Sequence, residues 1–526
     1  MATYPDYKHG ALGEVGAEGV ALGGQQAGQQ AFVYIGVAPS YQIKGRTARL
    51  HRPTVVHNMA EARRLYGWSD DWTHFTLCEA MAAHFSLYKT GPIVAIDVGE
   101  SAGVMEMSMP SPIEISVNPD MDAAGQRLVL TYPESQYPFV EDSFRLRSIQ
   151  GHALTEGVDY SVACDRADSK FIITLLHENT LNEGDPIPDE ETRTAKVYFK
   201  YLSLNTVANE TNMADANCVG AASLTGNTGA YAVRDVYPAT GMIPAFLGAP
   251  GLSQCPNMYN ALIANSQAIN THWYARVYAD IPQHTTANLS VTDAADWKNT
   301  NNYTADNASV FFPRIIAKDG HEYHLSTLYM AALQKGMEET SGIPWRSASN
   351  TPCPYIDGLA LRDANGSLDD IVLTDDLVGA ALNANGIDSA AYVSGRWVLW
   401  GTHAASYSQE TQTSVNVFDT SLAMLYYLIN DFQRRRARDV DKPMTLNTLR
   451  AIVAEEQARL DALVAVGALI WGEAEIDAEN TSRETLMAGD FRILLNVTTT
   501  PLAKSLTAVA NWTDKGYDIY FEGMAL

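Results

Sequence analysis

Three short stretches of this sequence carry residue types that do chemistry in other settings. "HEYH" (His321, Glu322, His324) offers two imidazoles and a carboxylate, all zinc ligands. The helical zinc motif spaces its histidines four apart, so that both lie on one face. Here they are three apart, beside Tyr323 and with no evident third ligand, so a polar surface or loop is expected. "HGALGEVGAEGVALGG", residues 9–24, places glycine at every third position from Gly10 to Gly19. A phosphate cradle needs such glycines between a strand and a helix, with a Gly-Lys pair or a GxGxxG fingerprint. No Gly-Lys dipeptide occurs in the chain, and nothing before Gly10 reads as a strand. Collagen is excluded too, because the triplet is brief and lacks proline. "RRRAR" (Arg434, Arg435, Arg436, Arg438) is the densest positive patch. It reads either as cations meeting the negative end of a helix or as a docking patch for an acidic partner. Abundant carboxylates alone do not make a catalytic pair. No catalytic, cofactor-binding or metal residue is therefore assigned.

The elements that must position these stretches follow from composition and periodicity. The 526 residues carry 61 Asp and Glu against 36 Lys and Arg, a net charge of −25. That excess repels phosphates and anionic membranes, which argues against a general nucleic-acid binder. Five cysteines stand far apart with no CxxC pair, so a reducing compartment is expected rather than a disulfide framework. No secretory signal is evident, and no stretch approaches the ~18 apolar residues of a membrane span. A soluble, intracellular product is expected.

Residues 1–29 are rich in Gly, Ala and Gln and poor in large apolar side chains, as a flexible arm would be. "AFVYIGVA", "PTVVH" and "PIVAIDV" read as strands around a helix that starts at Asn58 with Glu61 as its capping partner. Between about 105 and 205, "RLVLTY", "FRLRS", "YSVAC", "FIITLL" and "AKVYFKYL" are short strand-like runs between turns, the texture of an all-β insert. Helix and strand signals alternate again to about Ala405. A compact C-terminal part follows, in which Leu449, Val453, Leu460 and Val464 share a helix side and Ile493, Leu495 and Val497 alternate as in a strand. "YDIYFEG" reads as a terminal strand through Tyr517, Ile519 and Phe521. The expected fold class is α+β. Mixed α/β core domains (30–104 plus 216–405) carry an inserted all-β domain (105–215), a C-terminal domain (406–512) and extended arms (1–29 and 513–526).

The order of these segments resembles the tail sheath proteins of contractile phage tails, in the P2-like branch, and of related injection systems. "YKHGA", "FVYIGVAP", "RPTVVHNMAEARRLYG", "TLCEAMAAHF" and "PIVAIDV" follow that branch's early domain. "GIPWRSASNTP", "RWVLWGTHA" and "RRRAR…GDFRILLNVTTTPLAKSLTAVANW" are similar to its later segments. The resemblance covers most of the chain except residues 105–215. It implies a non-enzymatic subunit without cofactor, forming hexameric rings stacked helically around a tail tube protein. Baseplate and tail terminator proteins are the implied partners, with no nucleic acid and no direct membrane insertion, in a virion tail assembled in the host cytoplasm. It also implies that terminal arms add strands to a neighbour's sheet, with Tyr7, Val15 and Val20 at one end and Tyr517, Ile519 and Phe521 at the other. Arg434, Arg435 and Arg436 are the implied tube-facing residues. Two other readings stand beside it: a cytoplasmic α/β enzyme with a β insert, and another phage part such as a baseplate or adhesion component.

Overall fold

The computed structural model describes residues 30–524, apart from 118–126, 133–137, 149–150, 167, 177–192, 208, 286, 364–365, 369–370 and 410–417. The chain divides into two compact units, Met1–Thr445 and Leu446–Leu526.

The first unit is built on a six-stranded sheet. Its strands run in the order Ala308–Phe311, Arg276–Asp280, Ile243–Gly248, Gln30–Gly36, Ile93–Asp97, Thr54–Val56. Every neighbouring pair is parallel except the last, where Thr54–Val56 lies antiparallel to Ile93–Asp97. Strands from before and after the β-rich stretch thus share one sheet. The central strand is buried on both faces, as parallel strands covered by helices must be, which explains the unbroken apolar run "AFVYIG". Phe32 stacks on Phe246 at 4.5 Å across neighbouring strands.

The helix Met59–Tyr66 begins where the sequence indicates. The Asn58 side chain accepts from the Glu61 N–H at 2.9 Å, and the Glu61 carboxylate reaches back to the His57 N–H at 3.0 Å. Leu77 and Met81 are buried in the helix Thr76–Met81, which continues as a π-helical turn, Ala82–Tyr88. Within that turn His84 ties three elements together. Gln334 donates its amide to the Pro92 carbonyl, which leaves Oε1 to accept from His84 Nδ1 at 2.7 Å. His84 Nε2 then accepts from the Tyr34 hydroxyl at 2.7 Å. Burial pulls the His84 pKa down to about 4, against the opposing bond to Gln334, so the ring is held neutral.

Residues 104–204 hold eight strands in three small sheets and, among the described residues, no α-helix. Their packing is aromatic and separate from the main core: Tyr132, Phe139, Phe144, Phe171 and Phe199 cluster, with Tyr132 stacked on Phe171 at 4.2 Å. Further on come the helix Leu325–Glu339, the hairpin Ser389–Val393 with Arg396–Trp400, and the helix Asp419–Arg436. From the sequence that last helix is expected in the C-terminal domain, residues 406–512. It belongs to the first unit, because Tyr329 donates to Asp419 at 2.8 Å and Asn430 brackets the Tyr274 backbone at 2.8 and 2.9 Å. No helix of the described residues is long and apolar enough to cross a membrane. All five cysteines are free thiols.

Candidate assembly surface

The second unit is small and strongly exposed. Its helix, Leu446–Ala465, buries Leu449, Ile452, Glu456, Leu460 and Leu463. The expected stripe through Val453 and Val464 is only half-buried, so the packed face is rotated from the one the sequence suggested. That face covers an antiparallel pair, Leu469–Ile476 with Ile493–Thr499. Gly472 lets the helix approach: a Cβ there would lie 3.0 Å from the Leu460 Cβ. A two-stranded sheet is marginal alone and presents open backbone edges. Beyond it, residues 500–514 form no helix or strand, and Leu506, Val509 and Trp512 are exposed. About half of the exposed large hydrophobic side chains of the described residues lie in this unit, although it is much the smaller of the two.

The terminal segment corrects one expectation. Lys515–Met524 is a helix, not a strand. Tyr517, Ile519 and Phe521 are 59%, 74% and 66% exposed. On a helix Tyr517 and Phe521 share a face with Tyr520 and Met524, at i, i+3, i+4 and i+7, while Ile519 turns away. Among the described residues no strand pairs with the segment, so its backbone closes hydrogen bonds within itself. Tyr7, Val15 and Val20 lie outside the described residues.

The arginine patch ends the helix Asp419–Arg436, where cations meet the negative end of the macrodipole. Arg434 and Arg435 both contact Asp431, at 2.8 and 2.7 Å, and Arg436 contacts Asp439 at 3.4 Å. Much of the patch's charge is therefore met within the helix and the turn that follows it.

The first unit also contains a polar cleft of about 460 Å3, placed where an open α/β sheet would hold a ligand. Gly251 and Gln254 follow the strand Ile243–Gly248, and Glu79 comes from the helix whose Leu77 N–H bonds Val37, just past Gly36. The "HEYH" residues lie here, and their side chains diverge. His321 stacks on Trp72 at 4.0 Å, Glu322 binds Arg362 at 2.5 Å, and His324 Nδ1 donates to Glu79 at 2.7 Å. Burial alone would lower the His324 pKa, but the Glu79 and Asp280 carboxylates outweigh it and hold the pKa raised. Glu210 pairs with Arg314, and Asp71 with His74 at 2.6 Å. Glu79, Glu210 and Glu322 are thus engaged with neighbours from distant parts of the chain, and Asp71 with a near one. Among the described residues no group of His, Cys, Asp and Glu is arranged to hold a metal ion. Sequence reasoning had no signal for this cleft, because Glu79 and His324 meet across 245 residues.

No family model matches this sequence, and no curated protein is similar to it. By structure the chain is similar to the helical sheath of the anti-feeding prophage (AFP) in its contracted state. That likeness has 10% identity and a TM-score of 0.51, and covers 97% of this chain and 100% of that one. Also similar are the sheath tail protein of Desulfitobacterium hafniense (9% identity, TM-score 0.44, covering 93% and 100%) and the PVC sheath of an extracellular contractile injection system (13%, 0.44, covering 55% and 76%). The chain shares the fold of the contracted AFP sheath over nearly its full length.

Proposed function

We propose that this chain is a structural subunit of a contractile sheath and not an enzyme. The observation that carries the reading is the shared fold with the contracted AFP sheath across 97% of the chain. The exposed second unit supports it, since a surface so rich in apolar side chains is suited to burial against other copies. Subunits form hexameric rings stacked helically around a tail tube, a head-to-tail contact that need not close. Terminal segments join neighbours, with strands added to the two-stranded sheet by β-augmentation. Tyr7, Val15 and Val20 serve at the N-terminal end, and Tyr517, Ile519 and Phe521 form inter-subunit contacts at the other.

Contraction then moves near-rigid bodies from a kinetically trapped packing to a lower one while these joints hold. The first unit, with its buried parallel sheet, suits the rigid body. Residues 105–215 are an inserted outer domain, supported by their separate aromatic cluster. Arg434, Arg435 and Arg436 face acidic residues of the tube, and baseplate and terminator proteins cap the ends. The assembly is the tail of a phage or an injection system, built in the host cytoplasm.

The test is negative-stain electron microscopy of the purified full chain at several salt concentrations. Hollow, helically striated tubes are expected. Uniform small particles, even with a tube protein added as template, would overturn the reading and return attention to the polar cleft.

A further inference from the structure

One contact in the second unit is unusual for a surface glutamine. Gln457, on the helix Leu446–Ala465, donates its Nε2 to the Gly472 carbonyl at 3.1 Å, and its Oε1 accepts from the Ala474 N–H at 2.8 Å. Asp461, one turn further along the same helix, accepts from the same Nε2 at 2.8 Å and so holds the amide in place. In a strand the backbone groups of alternate residues point to opposite edges. The N–H of Ala474 goes to Gln457, so the groups engaged are those of the edge facing away from Ile493–Thr499.

The pattern of the two bonds is specific. A residue in a parallel neighbouring strand donates to the carbonyl of residue i−1 and accepts from the N–H of residue i+1. Gln457 does this around Glu473, with one side-chain amide doing the work of one backbone residue. We infer that Gln457 is a side-chain stand-in for a parallel strand: it closes the outer edge of Leu469–Ile476 in the separate subunit and yields that edge to a strand of a second copy. This rests on the sheath reading and adds to it which edge accepts, in which orientation, and what must leave first. The exchange leaves no sheet backbone group unpaired, because the arriving strand remakes both bonds as Gln457 turns to solvent. Gln457 is only half-buried, so its departure uncovers no core. The exposed Ile470 and Trp471, at the start of the same strand, give the newcomer apolar surface to cover.

The experiment is residue-resolved hydrogen exchange on the full chain, as separate subunits and as assembled tubes, for wild type and for Gln457→Met, which keeps helix propensity and length. Gln457→Ala serves as a second variant, and protection of the Leu446–Ala465 helix reports that either variant is folded. In separate subunits of the variants the Ala474 amide is expected to exchange about tenfold faster than in wild type. In variant tubes it regains full protection, and tubes form at a severalfold lower protein concentration because no plug competes. Variant tubes in which Ala474 stays unprotected, while amides of Ile493–Thr499 gain protection, would overturn the edge assignment and leave the sheath reading intact. Unchanged Ala474 exchange in variant subunits would show that Gln457 does not close the edge. Absence of tubes from wild type, with or without a tube template, would instead be failure of the sheath reading itself.

Discussion

The six-stranded sheet of the first unit and the two-stranded sheet of the second solve the same backbone problem in opposite ways. In the first, the central strands find neighbours on both sides from the same chain, helices cover both faces, and residues such as Phe246 are 1% exposed. In the second, two strands have one partner each, a glutamine amide occupies part of one edge, and the chain beyond displays Trp512, Tyr520 and Phe521 to solvent. A body that satisfies its own groups is stable alone. A part that leaves edges and apolar side chains unmet reaches comparable burial only against a partner surface.

The sharpest way to break this comparison is to remove residues 500–526. Tubes are expected to vanish in electron microscopy. The calorimetric transition of the first unit is expected to stay within the roughly ±0.5 kcal/mol of a surface change. Unfolding of the first unit would mean that the two regions are not different in kind. One residue type then sharpens the contrast. Phe246→Ala is expected to cost about 3–5 kcal/mol in urea unfolding, because it opens a cavity beside Phe32. Phe521→Ala in the separate subunit is expected to change stability by no more than about 0.5 kcal/mol while weakening assembly.

The third effect is a pH dependence carried by two histidines of the self-contained body. His84 is neutral in the fold with its pKa near 4, whereas the unfolded chain takes up its proton below about 6.5. The unfolded state therefore binds more protons between these values, and stability falls as pH drops through that window, by on the order of 3 kcal/mol. His324 has the opposite sign. Its pKa is raised, so its contribution is present below 6.5 and is lost as pH rises through its folded value. His84→Asn should flatten the urea midpoint only on the acid side of 6.5; a change on the alkaline side would contradict the assignment. The smallest effect on stability belongs to the arginine patch. Arg435→Ala breaks a partly exposed pair with Asp431 and is expected to cost about 0.3–0.5 kcal/mol. Reversing Arg434, Arg435 and Arg436 to Glu is expected to abolish tube-guided assembly at ordinary salt, scored by electron microscopy with the tube protein present.

Local signals are legible in the sequence where local physics decides. The apolar run at 31–36 reads as a buried strand, and Asn58 with Glu61 marks a helix start because capping is a contact within four residues. The strand runs of 105–205 were legible for the same reason. Tyr517–Phe521 misled because Tyr517, Ile519 and Phe521 alternate as in a strand, while Tyr517, Tyr520, Phe521 and Met524 also fit a helix. Which period wins depends on whether a partner strand is present, and that is not a local property.

The sequence by itself determined the order of the segments, most strand and helix positions in the first unit, and the acidic character of the whole. Tertiary structure alone decided that Asp419–Arg436 belongs to the first body, that Glu79 meets His324, and that Gln457 reaches the edge at Gly472 and Ala474. The reason is the range of the forces involved. Periodicity and capping act between residues a few positions apart, whereas edges, ion pairs and packed faces exist only after distant segments have been brought together.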